Sequence, residues 1–356
     1  MNVIIVSPSL DPSVNVSGVS AVCNFIIKNN LEINYIHFLQ GKIDSENGGY
    51  LSRFIRICKT YKKWKDFLLA NEDAIIHYNY PLDAKSIVRD YFFIKHAYKK
   101  QKKILLHIHG GLYLFRDKKP FYINWILNYV FNLSIPIIVL SDKEKKHIEN
   151  KYHRNDVISL PNCVDLSEAQ SFNREYENKG LNILYLGRIE PNKGVDYILK
   201  AAKILIEKNI KFSLYFAGKE DSPDSYIPIF KSELGDCFIY EGVVSGGKKD
   251  NLLKKCNVFL LPSFYEGLPM SLLECMAFGM IPITTDVGSI CSYVKNGVNG
   301  FIVPVKETLP IVDAIIDLVE SSELMKRMSI NAKETIFSQF DAQKYVEKLN
   351  HIYLNL

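Results

Sequence analysis

The stretch FYEGLPMSLLECMAFG, residues 264–279, sets two glutamates, Glu266 and Glu274, in an otherwise apolar, glycine-punctuated run. A carboxylate among Leu272, Leu273, Cys275, Met276 and Ala277 must be exposed, paired or used, because burying it alone costs several kcal/mol. Proline in a first turn is a helix-start signal, which predicts a helix beginning near Pro269–Ser271. Glu266 then lies in the strand-to-helix loop and Glu274 about one turn inside the helix. Gly267 and the amides after it stand between the two acids and can approach a ligand closely. A ligand offering hydroxyls to the carboxylates and phosphates to the amides is a nucleotide sugar. The plain structural reading of Glu274, an acid favouring the helix dipole by ~0.3–1 kcal/mol, leaves the paired spacing unaddressed.

Cations that could meet such phosphates lie in YLGRIEPNKGVDYIL (185–199), where Arg188, Lys193 and Gly194 occupy a loop between a strand and a helix. Backbone N–H groups and the helix dipole add to the two charges, giving an anion site; a solvated loop is the alternative. LLHIHGGLYLF (105–115) carries His107 and His109 at a strand end before two glycines. Alternation puts both on one sheet face, with His109 nearer the loop, and a histidine there is either structural or catalytic. No further His or Cys stands at ligand spacing and no D-x-D occurs, so no metal site is expected. Neither G-x-G-x-x-G after the first strand nor G-x-x-x-x-G-K-[ST] is present, and no cofactor is expected.

The elements that must position these groups are short apolar runs alternating with helical patterns. Strands are predicted at 3–7, 33–39, 74–79, 103–110, 135–141 and 157–162, and a second series at 182–189, 212–218, 238–243, 257–263, 281–286 and 300–304. Strands apolar on both faces and separated by helices argue for parallel sheets covered on both sides. Two series make two doubly wound α/β domains, with ligands at the carboxyl ends of the strands. The expected division is residues 1–165, a linker 166–180, residues 181–340, and a terminal helix 341–356 crossing back to the first domain.

Composition agrees with this size. The 356 residues are 47% hydrophobic and 23% charged, which excludes a disordered chain. The start, MNVIIVSPSLDPS, lacks a basic region and reads as a first strand rather than a signal peptide. Seven scattered cysteines form no C-x-x-C pair and fit a reducing cytoplasm. INWILNYVFNLSIPIIVL (123–140) is broken by Ser134 and Pro136 and reads as a helix followed by a buried strand, not a membrane span.

Charge is uneven: residues 1–180 carry 25 Lys+Arg against 18 Asp+Glu, the remainder 19 against 21. An anionic partner is therefore expected at the first half. YLSRFIRICKTYKKWKDFLL (50–69) spaces Leu51, Phe54, Ile55, Cys58, Tyr61, Phe67 and Leu68 helically among Arg53, Arg56, Lys59, Lys62, Lys63 and Lys65. Such a helix can lie on an anionic membrane, or it can be a domain helix with its apolar face in the core. No nucleic-acid motif supports the other use of this charge.

Glu266 and Glu274 together match the E-x7-E signature, and the chain resembles the retaining glycosyltransferases of family 4. GRIEPNKG (187–194) matches their G-R-x-x-x-x-K-G loop, PNCVD (161–165) resembles their P-N-G-V-D turn, and TDVGS (285–289) and KNGVNGFIVP (295–304) resemble two further segments in the expected order. The resemblance implies the α/β GT-B fold, two doubly wound Rossmann-like domains facing a central cleft. It implies that Glu274 holds the ribose hydroxyls and Glu266 contacts the donor sugar. Gly267, Leu268, Met270 and Ser271 would lie on the sugar and phosphates, with Gly18 letting the phosphate approach and Val243 near the base. Arg188 and Lys193 would neutralise the departing diphosphate, and His109 would sit at the donor sugar. Three departures stand out: Ser17 precedes Gly18 where a Gly-Gly pair is usual, Cys163 replaces a glycine, and Ser289 replaces another. None removes a charged group.

The expected activity is metal-independent, retaining transfer of a hexose-type sugar from UDP- or GDP-sugar to a glycan or polyprenyl-linked acceptor, in surface polysaccharide biosynthesis. The expected location is the cytoplasm, peripherally on the inner membrane surface. A catalytically silent nucleotide-sugar-binding protein or partner subunit is the alternative, marked by Ser17. A glycoside hydrolase built on the two glutamates is disfavoured by Arg188 and Lys193, and an epimerase is weaker still.

Overall fold

The structure, a computed structural model, describes residues 1–11, 14–15, 17–41, 49–174, 181–220 and 225–356. The chain divides into two units, Met1–Cys163 with Ala342–Leu356, and Val164–Asp341.

The first unit opens with β1 (Asn2–Ser7), α1 (Gly18–Asn29), β2 (Asn34–Leu39), α2 (Tyr50–Ala70), β3 (Ile75–Tyr80) and α3 (Ala84–Lys99). It continues with β4 (Ile104–Ile108), α4 (Phe121–Phe131), β5 (Ile137–Val139), α5 (Asp142–Tyr152) and β6 (Val157–Ser159). The six strands are parallel in the order β2-β1-β3-β4-β5-β6. β3, β4 and β5 are buried along their whole length, which is why their sequences are apolar apart from His77, Asn79 and His107. The stretch 123–140 divides into α4 and β5. Among the described residues no helix is long and apolar enough to cross a membrane.

The second unit begins with the short helix α6 (Ser167–Gln170), then β7 (Leu181–Leu186), α7 (Val195–Glu207), β8 (Phe212–Ala217), α8 (Tyr226–Leu234), β9 (Phe238–Gly242) and α9 (Gly246–Lys255). It continues with β10 (Val258–Leu261), α10 (Met270–Ala277), β11 (Ile281–Thr285), α11 (Ile290–Tyr293), β12 (Phe301–Val303), α12 (Leu309–Glu320) and α13 (Ser322–Gln339). Its sheet is again parallel, in the order β12-β11-β10-β7-β8-β9. The segment expected as a linker, 166–180, lies partly outside the described residues, at 175–180. Its described part is docked on this unit: the Arg174 guanidinium donates to the carbonyls of Leu253, Lys254 and Phe278.

The last helix, α14 (Ala342–Leu354), packs in the first unit. Phe25 and Tyr345 meet edge to face, and Asn30 donates to Asn350 at 2.7 Å. α2 is anchored chiefly by its second half, with Ile57 packed on the core from the first. Trp64 and Leu68 are buried, with Tyr61 and Phe67 packed on the core, whereas Leu51, Phe54 and Ile55 are exposed. Trp64, which the helical reading of this stretch did not include, is the main anchor.

Candidate active site

Both sheets have a point where strand order reverses, between β1 and β3 in the first and between β7 and β10 in the second. Chains leaving neighbouring strands there diverge to opposite faces and open a crevice at the carboxyl ends, where ligands of such sheets bind. The second unit puts GRIEPNKG after β7 and SFYEGLP after β10, on the two sides of its reversal.

Those loops are stitched together. Phe264 N–H donates to the Asn192 carbonyl at 2.9 Å, and Asn192 Nδ2 donates to Tyr265 Oη at 2.6 Å. Gly194 has φ +74°, and a Cβ there would stand 2.2 Å from the Pro262 carbonyl oxygen. Only glycine allows this approach, which brings Lys193 beside the β10 loop. Lys193 Nζ donates to Glu266 Oε1 at 2.7 Å, and Ser263 Oγ donates to the same oxygen at 2.8 Å. The loop after β11 supports the third side. Thr285 Oγ1 donates to the Ser263 carbonyl at 2.6 Å and Ser289 N–H to the Gly267 carbonyl at 2.9 Å. Gly288, at φ +58°, passes so close that a Cβ would lie 2.3 Å from the Glu266 carbonyl oxygen.

Glu274 is the fifth residue of α10, which starts at Met270 behind Pro269. Its neighbours Leu272, Leu273, Cys275, Met276 and Ala277 are buried, while its own carboxylate meets Lys249 Nζ from α9 at 2.8 Å. The carboxylate in apolar company is thus paired. Lys193 and Lys249 behave alike: burial works against each charge, and the facing glutamate more than offsets it, raising both above the ordinary lysine value. Both lysines are therefore charged at neutral pH.

The remaining expected donor residues spread around these pairs. Met270 and Ser271 form the first turn of α10, whose amides have no acceptor within the helix. The Leu268 side chain is buried, so its backbone is the part it can present. Arg188 is half-buried and its carbonyl accepts from Tyr185 Oη. Val243 is exposed just beyond β9, at the sheet edge, away from the reversal.

His109 and Gly18 belong to the first unit. Gly18 starts α1 in open space, and Ser17 before it makes no side-chain cap. His109, just past β4, is half-buried, and its Nε2 lies 2.6 Å from Asn79 Oδ1. Its ring centroid is 4.1 Å from that of His107, whose Nδ1 is 3.0 Å from His77 Nε2. His77 Nδ1 in turn meets Tyr353 Oη of α14 at 2.6 Å. Sequence reasoning missed Lys249, Ser263, Asn79 and His77. Only Lys249 had a local signal, in GGKKDNLLKK (246–255), where lysines open a helix directly after a strand.

The stitching makes a prediction. Gly194→Ala is expected to destabilise the protein by ~1–3 kcal/mol, since it combines a strained φ with a backbone collision. Urea unfolding measures this, and an unchanged midpoint would contradict the packing of Lys193's loop on Pro262.

Residues 167–335 match the family model described as glycosyl transferases group 1. The chain is 26% identical over 256 residues to UDP-Gal:alpha-D-GlcNAc-diphosphoundecaprenol alpha-1,3-galactosyltransferase of Escherichia coli, the match covering 65% of this chain and 63% of that protein. It is 25% identical over 275 residues to the capsular polysaccharide biosynthesis glycosyltransferase CapM of Staphylococcus aureus, covering 72% of each. Sucrose-phosphate synthase from Thermosynechococcus elongatus matches in structure with TM-score 0.79 at 14% identity, over 99% of this chain and 98% of that one. HepE of Anabaena, solved in complex with UDP-glucose, matches over the whole of both chains with TM-score 0.73 at 14% identity. At such identities the structural likenesses show the fold alone.

Proposed function

This chain is a GT-B protein of the glycosyltransferase family 4 type, its group 1 domain spanning residues 167–335, and on that premise we propose that it moves a hexose-type sugar from a nucleotide-sugar donor to a glycan or lipid-linked acceptor hydroxyl, with retention and without a metal. The observation that carries this reading is the pair of lysine-clamped glutamates, Glu266 with Lys193 and Glu274 with Lys249, around the amides of Gly267, Leu268, Met270 and Ser271 at the strand reversal.

In this reading Glu274 accepts the ribose hydroxyls, and Glu266 accepts a hydroxyl of the donor sugar. The α10 amides take the diphosphate, and Val243 lies near the base. Arg188 and Lys193 neutralise the diphosphate as it leaves, so their contribution grows toward the transition state. No protein nucleophile is required: the acceptor attacks from the leaving-group face, and the departing diphosphate takes its proton. The E. coli relative is named for a UDP-sugar donor and a diphosphoundecaprenol acceptor and HepE was solved with UDP-glucose, which supports a UDP-sugar and a polyprenyl-linked acceptor here.

Two measurements test it. A thermal-shift screen of UDP, GDP and ADP sugars should raise the melting temperature with one donor class, because a ligand of the native state stabilises it. Product analysis with that donor should show retained anomeric configuration; an inverted product overturns the mechanism.

Peripheral attachment to an anionic membrane belongs to the same proposal, with α2 as the contact. Exposed Leu51, Phe54, Ile55, Arg53 and Lys59 lie on its first half, and exposed Lys62 and Lys63 follow beside Trp64. Each cation near an anionic surface contributes about 1 kcal/mol. Lys62→Gln with Lys63→Gln should therefore weaken partitioning to anionic liposomes about 30-fold at low salt. Equal co-sedimentation with neutral and anionic liposomes would sink the membrane role.

A further inference from the structure

His109 ends a column of three imidazoles, and its hydrogen bond with Asn79 fixes more than its position. Asn79, the penultimate residue of β3, is buried, and its Nδ2 donates to the Val6 carbonyl at 2.9 Å and to Cys23 Sγ at 3.2 Å. A backbone carbonyl can only accept, so the amide cannot be turned round. Its Oδ1 must then be the atom 2.6 Å from His109 Nε2, and that nitrogen must carry the proton. In a neutral ring the lone pair is left on Nδ1.

From this geometry we infer that Asn79 is a positioning residue, which holds His109 as the Nε2–H tautomer and so keeps Nδ1 as an acceptor for a substrate hydroxyl. The substrate's part in this rests on the proposed transferase reading; the tautomer does not. The surroundings keep the ring neutral. Burial first, and then the charge His77 would carry, push the His109 imidazole down to about 3. The groups facing the pair are His107 on β4, His77 on β3, Cys23 on α1, and Tyr353 of α14 behind His77. His77 is likewise pushed down to about 3 by burial and the Cys23 thiol up to about 12, so both are neutral at physiological pH. Nδ1 is then an acceptor at every pH at which the enzyme would work. A carboxylate in place of the amide would change that, because it stabilises the imidazolium and, on protonation, turns Nδ1 into a donor.

The test combines a spectrum and a pH profile. Long-range proton–nitrogen spectra of the full chain labelled at histidine nitrogen, with His109→Gln identifying the signal, should show the Nε2–H tautomer at neutral pH. The Nδ1–H tautomer would overturn the role of Asn79. In Asn79→Asp the same signal should titrate at higher pH, and kcat/KM should fall about tenfold for each pH unit below the new midpoint, with KM for the donor little changed above it. The wild type should be flat over that range. A flat Asn79→Asp profile despite a raised His109 titration would overturn the acceptor role of Nδ1. If Asn79→Asp does not fold, Asn79→Ser should lower kcat equally at all pH values, and an unchanged kcat overturns the inference. Absence of transfer with every donor sinks the transferase reading, while the wild-type spectrum still decides the tautomer.

Discussion

Glu266→Gln is expected to lower kcat by about 10²- to 10³-fold, the size of effect seen when one preorganised group facing developing charge is removed. The substitution keeps the side chain's shape but leaves Lys193, largely buried, without its counter-charge. Burial, the largest influence on Lys193, is then opposed only by the weaker pull of Glu190 and Tyr265, and its titration falls from its raised value. A lysine loses its charge as pH rises through its pKa. Activity that depends on that charge should therefore decline at lower pH in Glu266→Gln than in the wild type, where the alkaline limb lies beyond the ordinary lysine range. Lys193→Met should produce a loss of similar size with no alkaline limb of its own. The double variant should lose less than the product of the two, because the residues act as a unit. Steady-state kinetics across pH, with thermal unfolding as a control for folding, decides this. Unchanged kcat in both single variants would remove the pair from the chemistry.

Glu274→Ala should act on binding. Hydrogen bonds from hydroxyls to a carboxylate contribute about 1.5–3 kcal/mol, so the donor Kd should rise about 10- to 150-fold while kcat at saturation falls much less. Lys249, 2.8 Å from Glu274, sharpens the test. If Lys249 only orients the carboxylate, Lys249→Gln should weaken donor binding by a smaller factor and add nothing on top of Glu274→Ala. Isothermal titration with the nucleotide diphosphate alone isolates this from chemistry. Unchanged affinity in Glu274→Ala would leave that residue as a helix-dipole acid tied to α9.

The contrast between Glu266 and Lys249 shows what a linear reading reaches. E-x7-E needs only a loop and one helical turn, so its geometry is written in nine consecutive residues: proline at the helix start, glycine beside the first acid, the second acid a turn later. Strands such as β5 and β10 were legible for the same kind of reason, since a strand buried on both faces is apolar along its length. α2 shows the limit. Its apolar residues have helical spacing from end to end, yet Leu51, Phe54 and Ile55 stay exposed while Ile57 and the residues around Trp64 and Leu68 reach the core. Spacing defines a face of a helix but not how far along it the neighbouring elements extend.

By itself, then, the sequence determined the two parallel-sheet units, the strand-to-helix placement of Glu266 and Glu274, and the cationic loop with Arg188 and Lys193. These depend on local periodicity and turn chemistry, which act over a few residues. Tertiary structure alone decided the partners. Lys193 reaches Glu266 across 73 positions of chain, Lys249 reaches Glu274 across 25, Asn79 meets His109 across 30, and Tyr353 meets His77 across 276. Each pairing is set by which strands become neighbours in the sheet or which helix packs beside it. That order follows from how the whole core closes, so no short stretch of sequence carries it.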